Sequence, residues 1–505
     1  MELHEIMNIV EPIFEKAATQ AGLPALSDGI LSLDYAALAR EIIRISDYLK
    51  SLGIGPGDRL MIIGENSVAL AVFILAGVHA GAVVVLENAR RAPLEIKQIF
   101  SHAMPKRGIF VFSGSPDAEN HAGQIATETV HDGVIGSFAV SAENPNGVLD
   151  EVVDQSEVAI FIYTTGTTGA PKGVMLTHQN LCFIAGMMPK LRDMTSADRI
   201  YAILPITHVM GIASVLLGGL HAGAHLHLRS RFSAGRCLSE IQSLGITVLQ
   251  GATAMFAKLA EQAGANAGRL NTKLRFIGVG GAPIDPTVKT NTERLFGIGL
   301  QNGYGLTEAA STCWTRFGEE HDDDSIGRPL PGVELRMLDQ DGIEVHDEEV
   351  GELWVRGPHV MKGYFRNLEL TEKVMTPDGW FNTQDLARIA GDGRVFVVGR
   401  TKDVIIRSGF KVNPLEVETV LNRHPAIAHS AVVGRLVNGN EEVVAFVELA
   451  QSITSLPDDL HAYLRKSLSP YKHPNEIRVL DALPLAPNGK VLKAQLLQQA
   501  RGVSR

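Results

Sequence analysis

The chain has 505 residues, of which 45% are hydrophobic and 20% are charged, and its formal net charge is −10. This length allows a few domains with large cores, so stabilising cross-links are not needed. The negative charge disfavours a general nucleic-acid-binding protein, because affinity for phosphates needs clustered cations. The three cysteines form no CxxC pair, which argues against a disulfide framework and a structural zinc site and suits a reducing compartment.

The most apolar stretch, residues 68–86, is close to the length of a membrane span. However, HAGA at 79–82 places a glycine where a helix would end, and the valine-rich residues that follow are typical of a buried strand. The same order recurs in LHAGAHLHL at 220–228. We therefore expect two helix–strand units and no membrane span. The acidic N-terminus lacks the basic region of a signal peptide, which predicts a cytoplasmic protein.

Alternating helical patterns and short apolar runs extend from about residue 35 to residue 300 and predict an α/β fold with mainly parallel, helix-covered sheets. The predicted strands lie at 60–63, 82–86, 108–112, 158–163, 224–228, 247–250 and 275–279. Two hairpins with Asp-Gly turns, at 333–345 and 387–398, indicate a β-rich subdomain. A small α+β domain follows, with a helix from about Pro414, strands near 428–434 and 442–449, and a helix from about 456. We place the domain boundary between residues 399 and 400.

The sharpest motif is YTTGTTGAPKGV at 163–174, which directly follows an apolar strand. Its glycines leave backbone N–H groups accessible, its threonines add hydroxyl donors and Lys172 adds a cation, so the loop can surround phosphate oxygens. It is not a Walker A loop, because Pro171 stands where the second glycine should be. A plain glycine-rich turn is the alternative. The predicted phosphate-binding residues are Thr164, Thr165, Gly166, Thr167, Thr168, Gly169 and Lys172.

This loop and the motifs after it resemble the adenylate-forming superfamily, which includes acyl- and aryl-CoA synthetases, peptide-synthetase adenylation domains and luciferases. The matching motifs keep the family's order over residues 30–500, which makes the set far more specific than one motif. They are LPITHVMG (204–211), GGAPI (280–284), NGYGLTE (302–308), GELWVRGPHVMKGY (351–364), WFNTQD (380–385), GRTKDVIIRSGFKVNPLEVE (399–418) and PNGKVLK (487–493).

The resemblance implies ATP, Mg²⁺ and CoA as ligands and a C-terminal domain that rotates about Lys402 between two half-reactions. It implies that Tyr304 stacks on adenine, and that the segments around it line the nucleotide with Gly281, Ala282, Asn302, Gly303 and Gly305. Thr307 would bind the α-phosphate, Glu308 would hold Mg²⁺, and Asp385 and Arg400 would bind the ribose. Lys490 would bridge the attacking carboxylate and the α-phosphate. His208 would lie beside the acyl pocket, Ser408 and Gly409 on the pantetheine path, and Arg231 near CoA.

Two positions depart from the family pattern. Gln384 stands where the ribose motif usually has glycine, although the carboxylate after it is retained. Thr207 precedes His208 where an aromatic residue is common. A further alternative concerns His221, His225 and His227, which invite a metal site, although histidines on a strand without a nearby cysteine or carboxylate are more often structural.

Residues 203–224 bear on the acid substrate because they surround the His208 motif. They contain no carboxylate to pair with the ammonium of an amino acid and no Arg or Lys to hold a second carboxylate. The sequence therefore predicts an acyl-CoA synthetase for an apolar fatty or aromatic acid, acting as a monomer or homodimer. Transfer to a carrier-protein thiol is the alternative, and a nucleotide-binding protein without catalysis is a third possibility that the retained Lys490, Glu308 and Asp385 argue against.

Overall fold

The computed structural model describes residues 8–144, 157–165, 171–264, 268–319, 323–346, 348–408, 410–437, 440–450, 453–485 and 491–502. The side chain of Thr165 lies outside this description. The described residues form two large sheets, a five-stranded sheet, a two-stranded ribbon and a three-stranded sheet.

The two large sheets have parallel strands at their centres and antiparallel strands at one or both edges. The first has the spatial order Gly363–Tyr364, Pro171–Thr177, Val158–Thr165, Val83–Asn88, Arg59–Gly64, Arg107–Val111, Gly136–Ser141 and Ala126–Asp132. The second has the order Arg328–Pro329, Ser311–Trp314, Leu300–Gly305, Phe276–Gly280, Val248–Gly251, Arg199–Ala202, His225–Leu228, Pro24–Ser27 and Ser32–Asp34. Each strand predicted between residues 60 and 279 is found in one of these sheets.

Helices cover both sheets and give the predicted layered α/β architecture. They are Glu11–Thr19, Tyr35–Ser51, Val68–His79, Pro93–Ala103, Pro116–Ile125, His178–Arg192, Gly218–Ala222, Ala234–Ser243, Thr253–Ala263 and Pro286–Phe296, with a π-helix at Met210–Leu217. The shared core lies between the layers and includes residues from both sheets.

The apolar stretch at 68–86 folds as a buried helix followed by a strand, as predicted. Ser67 caps the helix Val68–His79, which is buried along its length up to Val78. A Cβ on Gly77 would lie 2.9 Å from Val84 Cγ2, so this glycine lets the helix pack closely on its strand. Gly81 then turns the chain with φ +82°. Within the described residues, no helix is both long enough and apolar enough to cross a membrane.

The β-rich subdomain is the five-stranded sheet Glu344–Val345, Glu334–Leu338, Gly351–Arg356, Phe381–Ile389 and Val395–Arg400. Both predicted Asp-Gly turns close antiparallel pairs in it, with φ +77° at Gly342 and +82° at Gly393. The short helix Leu368–Val374 packs beside this sheet.

The C-terminal part contains the ribbon Ile405–Arg407 and Phe410–Val412, the sheet Ile427–Val437, Asn440–Leu449 and Glu476–Val479, and the helices Pro414–Asn422, Leu460–Ser467 and Lys493–Arg501. Short 3₁₀ turns lie at Thr401–Asp403 and Pro470–Lys472. The helix expected from about 456 begins instead at Leu460, three residues after Pro457. The fold of this part matches the predicted α+β domain.

Candidate active site

A cavity of about 270 Å³ opens where strands of the two large sheets and of the five-stranded sheet end. Ligand sites of open parallel sheets are typically found at such carboxyl ends of strands. Residues from seven of the sequence motifs meet on its wall. The predicted site residues that line it are Thr164, Lys172, His208, Gly281, Gly303, Tyr304, Gly305, Thr307, Glu308, Arg400 and Lys402.

A tight turn after the strand Leu300–Gly305 presents Thr307 and Glu308 to the cavity. A Cβ on Gly305 would lie 1.6 Å from the carbonyl oxygen of Ala310, so only glycine fits this position. The Leu306 N–H donates to the same carbonyl at 3.0 Å and closes the turn. The glycine of the YGLTE motif is therefore required by backbone packing.

The Glu308 carboxylate is held by Tyr364, a residue that sequence reasoning did not single out. The Tyr364 hydroxyl donates to Glu308 Oε1 at 2.9 Å, and Lys172 Nζ lies 5.5 Å from the centre of the Tyr364 ring. Burial and the nearby carboxylate raise the pKa of Tyr364, so its hydroxyl remains a donor. The phenol ring thus connects the cation of the phosphate loop with the carboxylate of YGLTE.

The Asp385 carboxylate is buried at the edge of the cavity and has two partners from different sheets. Its Oδ2 accepts from the Tyr304 hydroxyl at 2.5 Å, and its Oδ1 is 2.8 Å from Arg400 Nε. Asp385 and Arg400 face each other in an antiparallel pair, which fixes their contact. Burial, reinforced by this carboxylate, raises the pKa of Tyr304 well above its usual value.

Gln384, which replaces the usual glycine of the ribose motif, lines the cavity and has φ +59°. A side chain in this left-handed region costs roughly 1–2 kcal/mol. Its N–H donates to Asn382 Oδ1 at 2.7 Å, and the Asp385 N–H donates to Thr383 Oγ1 at 3.1 Å. These two side-chain acceptors support the strained turn, so the chain reaches Asp385 without glycine.

Two asparagines that are distant in sequence form hydrogen bonds with the turn that carries His208. Asn66 donates to the Leu204 carbonyl at 2.9 Å and accepts from the Ile206 N–H at 2.8 Å. Asn88 Nδ2 donates to Thr207 Oγ1 at 3.2 Å. The hydroxyl at position 207, where an aromatic residue is common in the family, therefore anchors the turn to the neighbouring sheet.

A buried ion pair contacts the first residue of the predicted phosphate-binding loop, residues 163–174. Arg91 Nε lies 2.6 Å from Glu87 Oε2, and Arg91 Nη2 donates to the Tyr163 carbonyl at 2.6 Å. Complete burial raises the pKa of Glu87 to about 7. The charged residues directly after an apolar strand were the available sequence signal for this pair.

Other predicted residues lie away from the cavity wall or outside the described residues. Arg231 forms a bidentate ion pair with the buried Glu65, with both N–O distances 3.0 Å, and also contacts Asp117. Asn302 donates to the Ser325 carbonyl, and Ser408 contacts Asn440. The roles of Ala282 and Ser408 stay predictions. Gly166, Thr167, Thr168, Gly169, Gly409 and Lys490 are outside the described residues.

His225 and His227, considered above as metal ligands, share a serine. Ser27 Oγ lies 3.0 Å from His225 Nε2 and 3.1 Å from His227 Nδ1. Burial lowers the pKa of His225 to about 4 and that of His227 to about 3, so both rings are neutral. Within the part of the chain that the structure describes, no group of three or more His, Cys, Asp or Glu side chains could hold a metal ion.

Comparison with known proteins agrees with this arrangement. The family model of AMP-binding enzymes matches residues 13–365, and that of their C-terminal domain matches residues 416–490. The chain belongs to the AMP-binding enzyme family. The predicted membership of the adenylate-forming enzymes is thereby confirmed, whereas the boundary at 399/400 stays a prediction.

Several members of the AMP-binding enzyme family resemble this chain over nearly its whole length. A feruloyl-CoA synthase from an Amycolatopsis species is 32% identical over 477 residues, covering 94% of this chain and 95% of that protein. The 4-coumarate–CoA ligase 5 of Oryza sativa subsp. japonica is 32% identical over 511 residues, covering 96% and 93%. The structure of ATP-bound MatB from Rhodopseudomonas palustris has a TM-score of 0.85 and 25% identity, covering 99% of each chain. The predicted fold class is confirmed.

Proposed function

We propose that this AMP-binding enzyme is an acyl-CoA synthetase that activates an aromatic carboxylic acid with ATP and then forms the CoA thioester. The observation that carries the proposal is one cavity whose wall includes Thr164, Lys172, Thr307 and Glu308 together with apolar side chains. Both curated relatives described above are named for the ligation of an aromatic acid to CoA, which supports the aromatic class over a fatty acid.

The polar side of the cavity suits a nucleotide. Gly281 and Tyr304 would hold the adenine, and the carboxylate of Asp385 would accept hydrogen bonds from the ribose hydroxyls beside Arg400. Thr164 and Lys172 would bind the phosphates with the rest of the loop. Cations and hydroxyl donors are required here because the acid and ATP repel each other as anions.

Glu308 fits a magnesium site, because it places a carboxylate, the hard oxygen ligand that Mg²⁺ prefers, on the cavity wall beside Thr307. Tyr364 leaves the second carboxylate oxygen available by bonding only to Oε1. A bound Mg²⁺ would neutralise charge on the phosphates.

In the first step, a carboxylate oxygen of the acid attacks the α-phosphorus. The bond from that phosphorus to the bridging oxygen breaks, and pyrophosphate leaves with the electron pair. In the second step, the CoA sulfur attacks the acyl carbon of the adenylate, AMP leaves, and the thiol proton passes to solvent. Lys172 would stabilise the departing phosphates, and Lys490 would orient the acid against the α-phosphate.

The apolar side of the cavity suits an aromatic ring. Its lining includes Leu204, Val209, Met210, Ala213 and Trp314. Together with the absence of a carboxylate in residues 203–224, this wall argues against an amino acid substrate, since an unpaired ammonium there would be costly.

The test is pyrophosphate release with a panel of benzoic, cinnamic and fatty acids, followed by thioester formation with free CoA. Aromatic acids should give both products. Pyrophosphate release without a CoA thioester would favour the alternative acceptor, a carrier-protein thiol. Release with no acid of the panel would contradict the proposal.

Separate assays of the two half-reactions test the proposed roles of Lys490 in adenylate formation and of Gly409 in thioester formation. Lys490→Ala should abolish most adenylate formation and largely spare thioester formation from preformed acyl-adenylate. Gly409→Leu should do the reverse, because a side chain there would block the thiol. Equal damage to both half-reactions in either variant would contradict the assignment.

A further inference from the structure

A buried arginine lies next to the apolar part of the cavity wall, and the reaction steps described above give it no role. Arg192 is the last residue of the helix His178–Arg192, and only 1% of its surface is exposed. Ile184 of this helix lines the cavity, and Met188 and Arg192 follow at intervals of four residues on the same face. Side chains on a helix tilt toward its N-terminus, so the Arg192 side chain is directed back toward the cavity.

The Arg192 guanidinium contacts residues that form the cavity wall or adjoin it. Its Nη1 donates to the Ser214 carbonyl at 3.2 Å, and its Nη2 donates to Ser214 Oγ at 2.6 Å. Ser214 follows Ala213, which lines the cavity. The guanidinium carbon also lies 4.8 Å from the ring centre of Trp314, another residue of the wall. One shell of side chains therefore separates Arg192 from the substrate space.

Arg192 has no counterion among the residues that the structure describes. No described carboxylate pairs with it, and its Nε has no hydrogen-bond partner there. Burial lowers the pKa of Arg192 to about 9, so the side chain is still a cation at neutral pH. Burying such a charge is costly, and the cation–π contacts with Phe276 and Trp314 offset only part of that cost.

Two further buried donors beside Arg192 lack partners within the described residues. They are Gln250 Nε2 and Trp314 Nε1. Ser214 Oγ lies 3.3 Å from Gln250 Oε1, which joins the amide to the same cluster. Buried polar groups are normally satisfied, so a cation together with three unpaired N–H donors makes the region behind the wall at Ala213 and Trp314 electropositive.

We propose that the cavity wall at Ala213 and Trp314 is a distal subsite, to which the charge of Arg192, behind this wall with Ser214 and Gln250 beside it, attracts a second anionic oxygen group of the acid substrate. The proposal rests on the proposed function and narrows its substrate class to an aromatic acid with a second acidic group, a carboxylate or a sulfonate, far from the reacting carboxylate. It revises the expectation drawn from residues 203–224, because the cation comes from a different segment of the chain.

Matched substrates test the subsite in the wild-type enzyme. Benzoic and cinnamic acids with a 4-methyl, 4-carboxylate or 4-sulfonate group differ in distal charge, and kcat/KM is measured by pyrophosphate release. We expect an anionic member to exceed its methyl partner by at least about 10-fold in one series, through a lower KM. A methyl member that equals or exceeds its anionic partners in both series overturns the subsite. The carboxylate and sulfonate arms identify which anion is preferred.

Arg192→Met then shows whether this residue carries the preference. The ratio of anionic to methyl substrate should fall to about 1 or below, while turnover of the methyl acid is retained. An equal loss for both substrates would mean a purely structural role and overturn the proposal. Arg229→Met is the matched control, because Arg229 is also buried but pairs with Glu240 at 2.7 Å; it should lower thermal stability and leave the ratio unchanged.

Milder variants keep the test decisive if Arg192→Met does not fold. Ser214→Ala and Gln250→Leu should each reduce the preference several-fold, and an unchanged ratio in both would overturn the subsite. Failure of the proposed function is distinguishable, since then neither the methyl nor the anionic acids release pyrophosphate. If the methyl acids react and the anionic acids react no better, the subsite is contradicted and the proposed function stands.

Discussion

The contact between Tyr364 and Glu308 leads to a sharp prediction about catalysis. Tyr364→Phe removes the hydroxyl that donates to Glu308 Oε1 at 2.9 Å and leaves the ring in place. The contact of the ring with Lys172 is retained, and only one hydrogen bond is lost. The expected result is weaker binding of the Mg²⁺ proposed at Glu308, with an intact fold.

The magnitude follows from the burial and charge of this hydrogen bond. Tyr364 is only 6% exposed, and a hydrogen bond to a charged group contributes about 1.5–3 kcal/mol. Since about 1.4 kcal/mol corresponds to a factor of ten, kcat/KM for adenylation should fall roughly 10- to 100-fold. Because the carboxylate loses its orientation, the variant should also need more Mg²⁺ for half-maximal rate.

The assay is the initial rate of pyrophosphate release at saturating ATP over a range of Mg²⁺ concentrations. Tyr35→Phe is the matched control, because the Tyr35 hydroxyl is also buried and donates to the Ala224 carbonyl at 2.9 Å, away from the cavity. The control should lower the melting temperature and keep the Mg²⁺ dependence. If Tyr364→Phe keeps the kcat/KM and Mg²⁺ dependence of the wild type, the positioning role of Tyr364 is wrong.

Two further predictions concern packing and pH. In Gly303→Ala the new Cβ would lie 2.0 Å from Trp314 Cε3, so the indole must move. The free energy of unfolding should fall by about 1–3 kcal/mol, and the KM for the acid should rise. The control is Gly186→Ala, whose Cβ would have no atom within 4 Å and which should leave the melting temperature unchanged. Burial lowers the pKa of His359 to about 4, so the unfolded state binds more protons between pH 6.5 and 4 and stability falls as pH falls. Between pH 7.5 and 5, the free energy of unfolding of His359→Leu should therefore fall by about 2 kcal/mol less than that of the wild type. If the denaturant midpoints of the two proteins change equally over this range, the assignment is contradicted.

Local patterns in the sequence predicted many elements of the fold, although strands such as Pro24–Ser27, Arg199–Ala202 and Leu300–Gly305 were not among them. A glycine after an apolar helix predicted the turn at Gly81, and Asp-Gly pairs predicted the two hairpins closed at Gly342 and Gly393. These features depend on φ/ψ preferences and on apolar periodicity, which act over a few neighbouring residues. The helix expected from about 456 began later, at Leu460, because Pro457 disfavours helical geometry at the residue before it.

The sequence alone also determined the chemical class of the protein, because the ordered motifs from Tyr163 to Lys490 place phosphate-binding, carboxylate and cationic groups in a recognisable series. Only the tertiary structure decided which side chains meet. Tyr364 contacts Glu308, and Arg91 contacts the Tyr163 carbonyl. Neither pair is close in sequence, so no local pattern encodes it.

The acid pocket shows most clearly the difference between what the sequence predicted and what only the tertiary structure decided. Residues 203–224 correctly indicated an apolar wall, and they suggested that no cation is present to hold a second acidic group. Arg192 comes from a preceding helix and reaches Ser214 only when that helix packs against the π-helix Met210–Leu217. This buried cation behind the wall could not be inferred from residues 203–224, because other segments of the chain pack against them.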